Sequence, residues 1–185
     1  ARLPGAARAT KDVDLVGRLA TASDAETLLD ALEPMLEAVA GDDFSFRVVA
    51  ARPLREGAPG QQAWRLTVEA LVDRARFETV TVDLVGQVDE VIGATERLRI
   101  ACPVALPGCD EVLIDAVDVY QHAAEKYHAY ARIYAQERPS SRVKDLVDLV
   151  LLIEAGLLVD DARLWERLDR VHTARDGLPP PAQLA

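Results

Sequence analysis

Two aspartates in Arg8-Ala9-Thr10-Lys11-Asp12-Val13-Asp14-Leu15 are the first residues whose type and spacing could do chemistry. On an extended strand, residues two apart share a face, so Asp12 and Asp14 can turn both carboxylates toward one hard cation. Mg²⁺ takes oxygen ligands of this kind and keeps further positions for phosphate oxygens. Without a cation the two charges repel. The plainer alternative is a solvent-facing edge strand that uses charge against aggregation. A further acid, Asp83, follows Thr79-Val80-Thr81-Val82. Strand parity puts Val80, Val82 and Leu84 on one side and Thr79, Thr81 and Asp83 on the other, where a third metal-binding carboxylate would stand. A strand-terminal Asp before a Gly turn would read the same way.

The third grouping is Lys126, followed by Arg142, Lys144, Asp145 and Asp148 in Arg-Val-Lys-Asp-Leu-Val-Asp-Leu. Val143, Leu146, Val147, Leu149, Val150, Leu151, Leu152 and Ile153 cover most of the circumference of a helix. Such a helix is expected to be largely buried, and its charges then need partners. Lys144 with Asp148, and Arg142 with Asp145, have the spacing to satisfy one another.

The elements that would carry these groups follow from periodicity. A strand is expected over Ala9 to Val16. After Gly17, Ser23 and Glu26 form a capping box for a helix through Leu28, Leu29, Leu32, Met35, Leu36 and Val39, ended by Gly41. Strands follow at Phe46 to Ala51, Trp64 to Val72 and Arg76 to Val85, extending one sheet, with short strands near Leu98 to Ala101 and Glu111 to Ile114. From Val117 the character turns helical: one helix through Ala135, one from Arg142 to Ala155 opened by Ser140 or Ser141 and closed by Gly156, and one from Ala162 to Thr173. The layout is α+β: a sheet domain over residues 1–115, a helical lobe over 116–175 and a Pro-rich tail over 176–185 that reads as solvated.

Composition narrows the function classes. A net charge of -10 on 185 residues argues against sequence-blind coating of nucleic acid. Local basic patches remain, through Arg47, Arg52, Arg55, Arg65, Arg74 and Arg76, and through Arg132, Arg138, Arg142 and Lys144; the simplest account of both is solvated charge. Cys102 and Cys109 read as residues of a Pro/Gly-containing loop. They show neither zinc-site nor disulfide spacing, so a reduced cytoplasm fits best. His122, His128 and His172 lack metal-ligand spacing and read as surface or packing residues. No apolar run reaches the roughly 20 residues of a membrane span, and no signal peptide is visible.

Taken in order, the three groupings resemble the AbiEii/MenT-type family of nucleotidyltransferase toxins, within the DNA polymerase β-like nucleotidyltransferase superfamily. The resemblance covers nearly the whole chain. Its Arg-x-Thr-x-Asp-hydrophobic-Asp strand is matched by Arg8, Thr10, Asp12 and Asp14, its Asp-bearing strand by Asp83, its Lys-bearing helix by Glu125 and Lys126, and its Arg-x-x-Asp-x-x-Asp helix by Arg142, Asp145 and Asp148. What it implies is a nucleotidyltransferase-type mixed sheet with flanking helices and a C-terminal helical lobe. Asp12, Asp14 and Asp83 would hold one or two Mg²⁺ ions on a nucleoside triphosphate. Lys126, with Arg8, Thr10, Lys11, Arg142 and Asp145, would meet the nucleotide, and Asp148 would position Lys126 or meet the sugar or base. It further implies a pyrimidine triphosphate donor, the 3′ end of tRNA as acceptor, and a cognate antitoxin. Transfer to a protein or a small molecule, and a non-catalytic regulator, are the alternatives. The family also places a Gly-Gly or Gly-Ser segment before the Asp strand, whose amides would cradle the triphosphate. Ala1-Arg2-Leu3-Pro4-Gly5 contains none. A trimmed fragment, an unusual start and impaired nucleotide binding are all compatible with that.

Overall fold

A computed structural model of the chain describes residues 12–17, 22, 24–37, 43–54, 63–86, 95–106, 109–132 and 142–181, with the backbone alone at 12, 37, 101–106, 109 and 110. The fold is α+β, with a mixed sheet and four helices among the described residues, and the chain divides into two units. One spans Ala9–Val88; the other joins Ala1–Arg8 to Asp89–Ala185.

In the first unit, strands β1 (Asp12–Gly17), β2 (Phe44–Pro53), β3 (Ala63–Val72) and β4 (Ala75–Gly86) form a sheet in the order β1-β4-β3-β2. Pairing is antiparallel between β2, β3 and β4, whereas β1 runs parallel to β4. Two residues, Asp73 and Arg74, make the β3–β4 turn. Both have left-handed φ values, 48° and 65°, as a tight hairpin matching the strand twist requires. Each of β2 and β4 then carries a one-residue register shift, at Val49 and Phe77, and both of those side chains are exposed. The shifts keep like faces together. Trp64, Leu66 and Leu84 lie on one face, with Val48, Ala51, Val68 and Val82 packed alongside. Helix α1 (Ala25–Glu37) covers this face with Leu28, fully buried, and Leu32. Asp24 opens α1, its carboxylate accepting from the Thr27 amide at 2.8 Å, where the sequence pointed to Ser23. Ser23 and Gly41 lie outside the described residues.

In the second unit, β5 (Thr95–Leu106) and β6 (Cys109–Val117) pair as an antiparallel ribbon, longer than the short strands expected. Cys102 therefore sits in β5 and Cys109 opens β6, rather than both lying in a loop. The signal misread was Pro103. It falls where the register breaks between Ala101 and Leu106, so its missing N–H costs the ladder nothing.

Helices α2 (Val119–Ala131), α3 (Val143–Glu154) and α4 (Ala162–Asp176) follow. Asp118 caps α2 by accepting from the Tyr120 and Gln121 amides, and Asp161 caps α4 by accepting from Arg163 and Leu164. Gly156 and Gly177 end α3 and α4 with φ of 66° and 67°. α2 packs against both other helices through two clusters, Tyr120, Ala123, Leu149, Leu152 and Leu158, and Ala124, Leu168 and Val171. α3 is less buried than its composition suggested. Only Leu149 and Leu152 are fully covered, and Val143, Val147, Val150 and Ile153 are exposed, because α2 occupies one side of it. The Pro-rich end is tethered at its start: the Tyr127 hydroxyl donates to the Pro181 carbonyl at 3.1 Å.

Candidate active site

The parallel register of β1 on β4 places Asp14 opposite Asp83, with Asp12 opposite Thr81. Residues in register on adjacent strands share a face, so the Asp14 and Asp83 side chains stand side by side on the sheet face away from α1. One step across, β3 places Arg65 opposite Asp83, and β2 places Arg52 opposite Arg65. A row of two acids and two arginines thus crosses all four strands. Thr81 and Thr67 form the next row, and Thr79, Glu69 and Arg47 the one after.

Arg65 grips Asp83 with both prongs: Nε donates to Oδ1 and Nη2 to Oδ2, each at 2.7 Å. The Asp83 side chain is 16% exposed and that of Arg65 52%. This hydrogen-bonded guanidinium holds the Asp83 carboxyl below the usual carboxylate range, outweighing the upward push of partial burial. Further along the face, Arg47 donates to Glu69 at 2.6 Å and lowers that carboxyl in the same way. Sequence reading placed Arg65 in a basic patch and missed it as the partner of Asp83. Strand parity alone could not find it, because the pairing depends on the register shift at Phe77.

The donor set fits a hard divalent ion in kind. Carboxylate oxygens on neighbouring strands suit Mg²⁺, which needs only one or two protein carboxylates when phosphates and water fill the rest of its octahedron. Each Asp83 oxygen bonded to Arg65 retains a second lone pair. Among the described residues no group of three or more His, Cys, Asp or Glu side chains is arranged to hold a metal.

The second grouping lies in the helical unit. Lys126 of α2 reaches two carboxylates of α3: its Nζ donates to Asp148 Oδ2 at 2.7 Å and to Asp145 Oδ1 at 3.2 Å. All three side chains are largely buried, at 15%, 18% and 13% exposure. Arg142, just before α3, adds a contact to Asp145 Oδ2 at 3.2 Å. Lys126, rather than Lys144, is thus the cation on Asp148. Nearby on α2, the buried His128 shares a 2.9 Å hydrogen bond with Asp176 and packs edge-on against the buried His172. Arg8, Thr10 and Lys11 lie outside the described residues.

The chain is thus α+β, with Asp14 and Asp83 in register on neighbouring strands of a mixed sheet. Over residues 1–185 the sequence matches the profile described as nucleotidyl transferase AbiEii toxin of a type IV toxin–antitoxin system, and the chain belongs to that family. It is accordingly a nucleotidyltransferase toxin, with a nucleotide substrate and an antitoxin partner implied by the family. Among curated proteins no relative matches. No helix among the described residues is long and apolar enough to cross a membrane.

Proposed function

We propose that the protein transfers a nucleotide from a pyrimidine nucleoside triphosphate to the 3′ end of tRNA with the help of Mg²⁺, and so blocks translation. The observation that carries this reading is the pairing of Asp14 with Asp83 on adjacent parallel strands of a family member. Asp12, Asp14 and Asp83 are the residues we assign to the ion, which when bound supplies charge neutralisation at the triphosphate. Asp83, kept ionised by Arg65, is assigned to orient the acceptor hydroxyl beside the ion or to help remove its proton, the lowered carboxyl value making it a weak base on its own. Lys126 is our candidate for neutralising phosphate oxygens, its ammonium fixed by Asp145 and Asp148. Arg8, Thr10, Lys11 and Arg142 are assigned to the nucleotide on the resemblance alone.

The test is direct. Incubating the protein with Mg²⁺, each labelled nucleoside triphosphate and total tRNA should label the tRNA with a pyrimidine nucleotide. Chelation should stop the labelling, and Asp14→Asn should cut the rate by at least about a hundredfold. No transfer from any of the four nucleotides would overturn the reading. Transfer to a protein or a small hydroxylated molecule is the second reading, because a net charge of -10 leaves no broad cationic surface for coating an RNA. The mass of the labelled product decides between them.

A further inference from the structure

We infer that Arg65 is a built-in counter-charge for the metal site, which keeps a bare divalent ion weakly bound so that the ion enters together with the triphosphate. The inference rests on the reading of Asp14 and Asp83 as metal ligands. Two carboxylates side by side on a sheet would repel in the empty protein. Here the second is clamped by a two-pronged guanidinium at 2.7 Å on both oxygens, and Arg52 stands opposite Arg65 on the next strand. The row Asp14, Asp83, Arg65, Arg52 carries two negative and two positive formal charges.

Such a row offers the right donor atoms with little net attraction for a free cation. A unit positive charge about 6 Å from a divalent ion in a hydrated setting weakens binding by roughly tenfold, and by less once salt screens it. A triphosphate brings the negative charge that the row lacks, so an ion already on the nucleotide meets no such deficit. The clamp also fixes the Asp83 carboxylate plane while leaving a lone pair on each oxygen, which makes Arg65 a positioning residue as well. A merely structural ion pair on a half-exposed strand would leave metal affinity unchanged, or weaken it when removed through looser placement of Asp83.

Mn²⁺ binding to the full chain, followed by the loss of the free-ion paramagnetic resonance signal, separates these cases without turnover. In the absence of nucleotide, Arg65→Met should bind Mn²⁺ about three- to tenfold more tightly than the unmodified protein. Arg65→Lys, which keeps the charge, should stay within about twofold. A non-hydrolysable triphosphate should tighten Mn²⁺ binding less in Arg65→Met than in the unmodified protein. Unchanged or weaker Mn²⁺ binding by Arg65→Met overturns the inference. Should that variant fail to fold by circular dichroism, Arg65→Gln gives the same readout. Asp14→Asn and Asp83→Asn serve as the control for the underlying reading: if both leave Mn²⁺ binding intact, the assignment of the acids fails, whereas loss of binding in them with no tightening at Arg65 condemns the counter-charge alone.

Discussion

Replacing Lys126 by Met separates what its ion pairs do for the fold from what its charge would do in the proposed chemistry. The side chain loses two charge-assisted hydrogen bonds, at 2.7 Å to Asp148 and 3.2 Å to Asp145. Asp145 keeps its 3.2 Å contact with Arg142, so the shorter bond to Asp148 dominates the loss. Hydrogen bonds to charged groups contribute about 1.5–3 kcal/mol each, and breaking a fully buried pair costs about 3–5 kcal/mol. With exposures of 13–18% the site falls just short of full burial, so we expect a loss of about 2–4 kcal/mol. At about 3 °C per kcal/mol for a chain of this length, the melting temperature should drop by roughly 6–12 °C. Thermal unfolding by circular dichroism measures this. In Lys126→Met/Asp148→Asn the carboxylate charge that faced Lys126 is gone as well, and part of the stability should return, with a coupling energy of at least about 1 kcal/mol. Nucleotide transfer should not return. A single-variant loss under about 0.5 kcal/mol would refute the energetic reasoning. Near-normal transfer by the double variant would remove Lys126 from the chemistry.

Burial pushes the His128 imidazole below the ordinary histidine value, against the opposing pull of Asp176, so its neutral form is the one the fold stabilises. That contribution is full above the unfolded value near 6.5 and is lost as pH falls toward the lower folded value. Melting temperature measured from pH 7.5 down to 5 should therefore fall, and His128→Asn should flatten the slope. Leu66→Ala opens a hole in the α1-covered face of the sheet, where Leu66 is 3% exposed. It should cost about 2–5 kcal/mol in chemical denaturation. Gly177→Ala meets no atom within 4 Å but forces an alanine to φ 67°, so it should lose about 1 kcal/mol through backbone strain alone.

The parts of this molecule that periodicity could reach were legible: strand parity put Asp83 opposite its apolar neighbours, and the apolar spacing of α1, α2 and α4 located those helices to within a few residues. Three features depended on partners that one-dimensional spacing does not carry. Pairing of Asp14 with Asp83 needs β1 to dock on β4 in parallel, a choice no residue of β1 announces. The Arg65 clamp needs the extra residue at Phe77; a two-residue turn followed by unbroken pairing would have set Arg65 against Val82, polar against apolar. Lys126 and Asp148 meet because α2 packs on α3, whereas spacing within one helix pointed to Lys144. The exposed valines of α3 misled for the same reason, since composition reports how apolar a helix is and not how many neighbours it has.

Among the described strands of this sheet β1 leaves the ribosome first, yet its partner β4 comes about seventy residues later, and long-range parallel closures of this kind form late in folding. The β2–β3–β4 meander can assemble from local hairpins while the first strand waits. Since Asp14 arrives only with that last docking step, a partly folded or nascent toxin carries half of its acid pair. On the proposed assignment of Asp14 and Asp83, the topology thereby ties poisonous capacity to completion of the sheet.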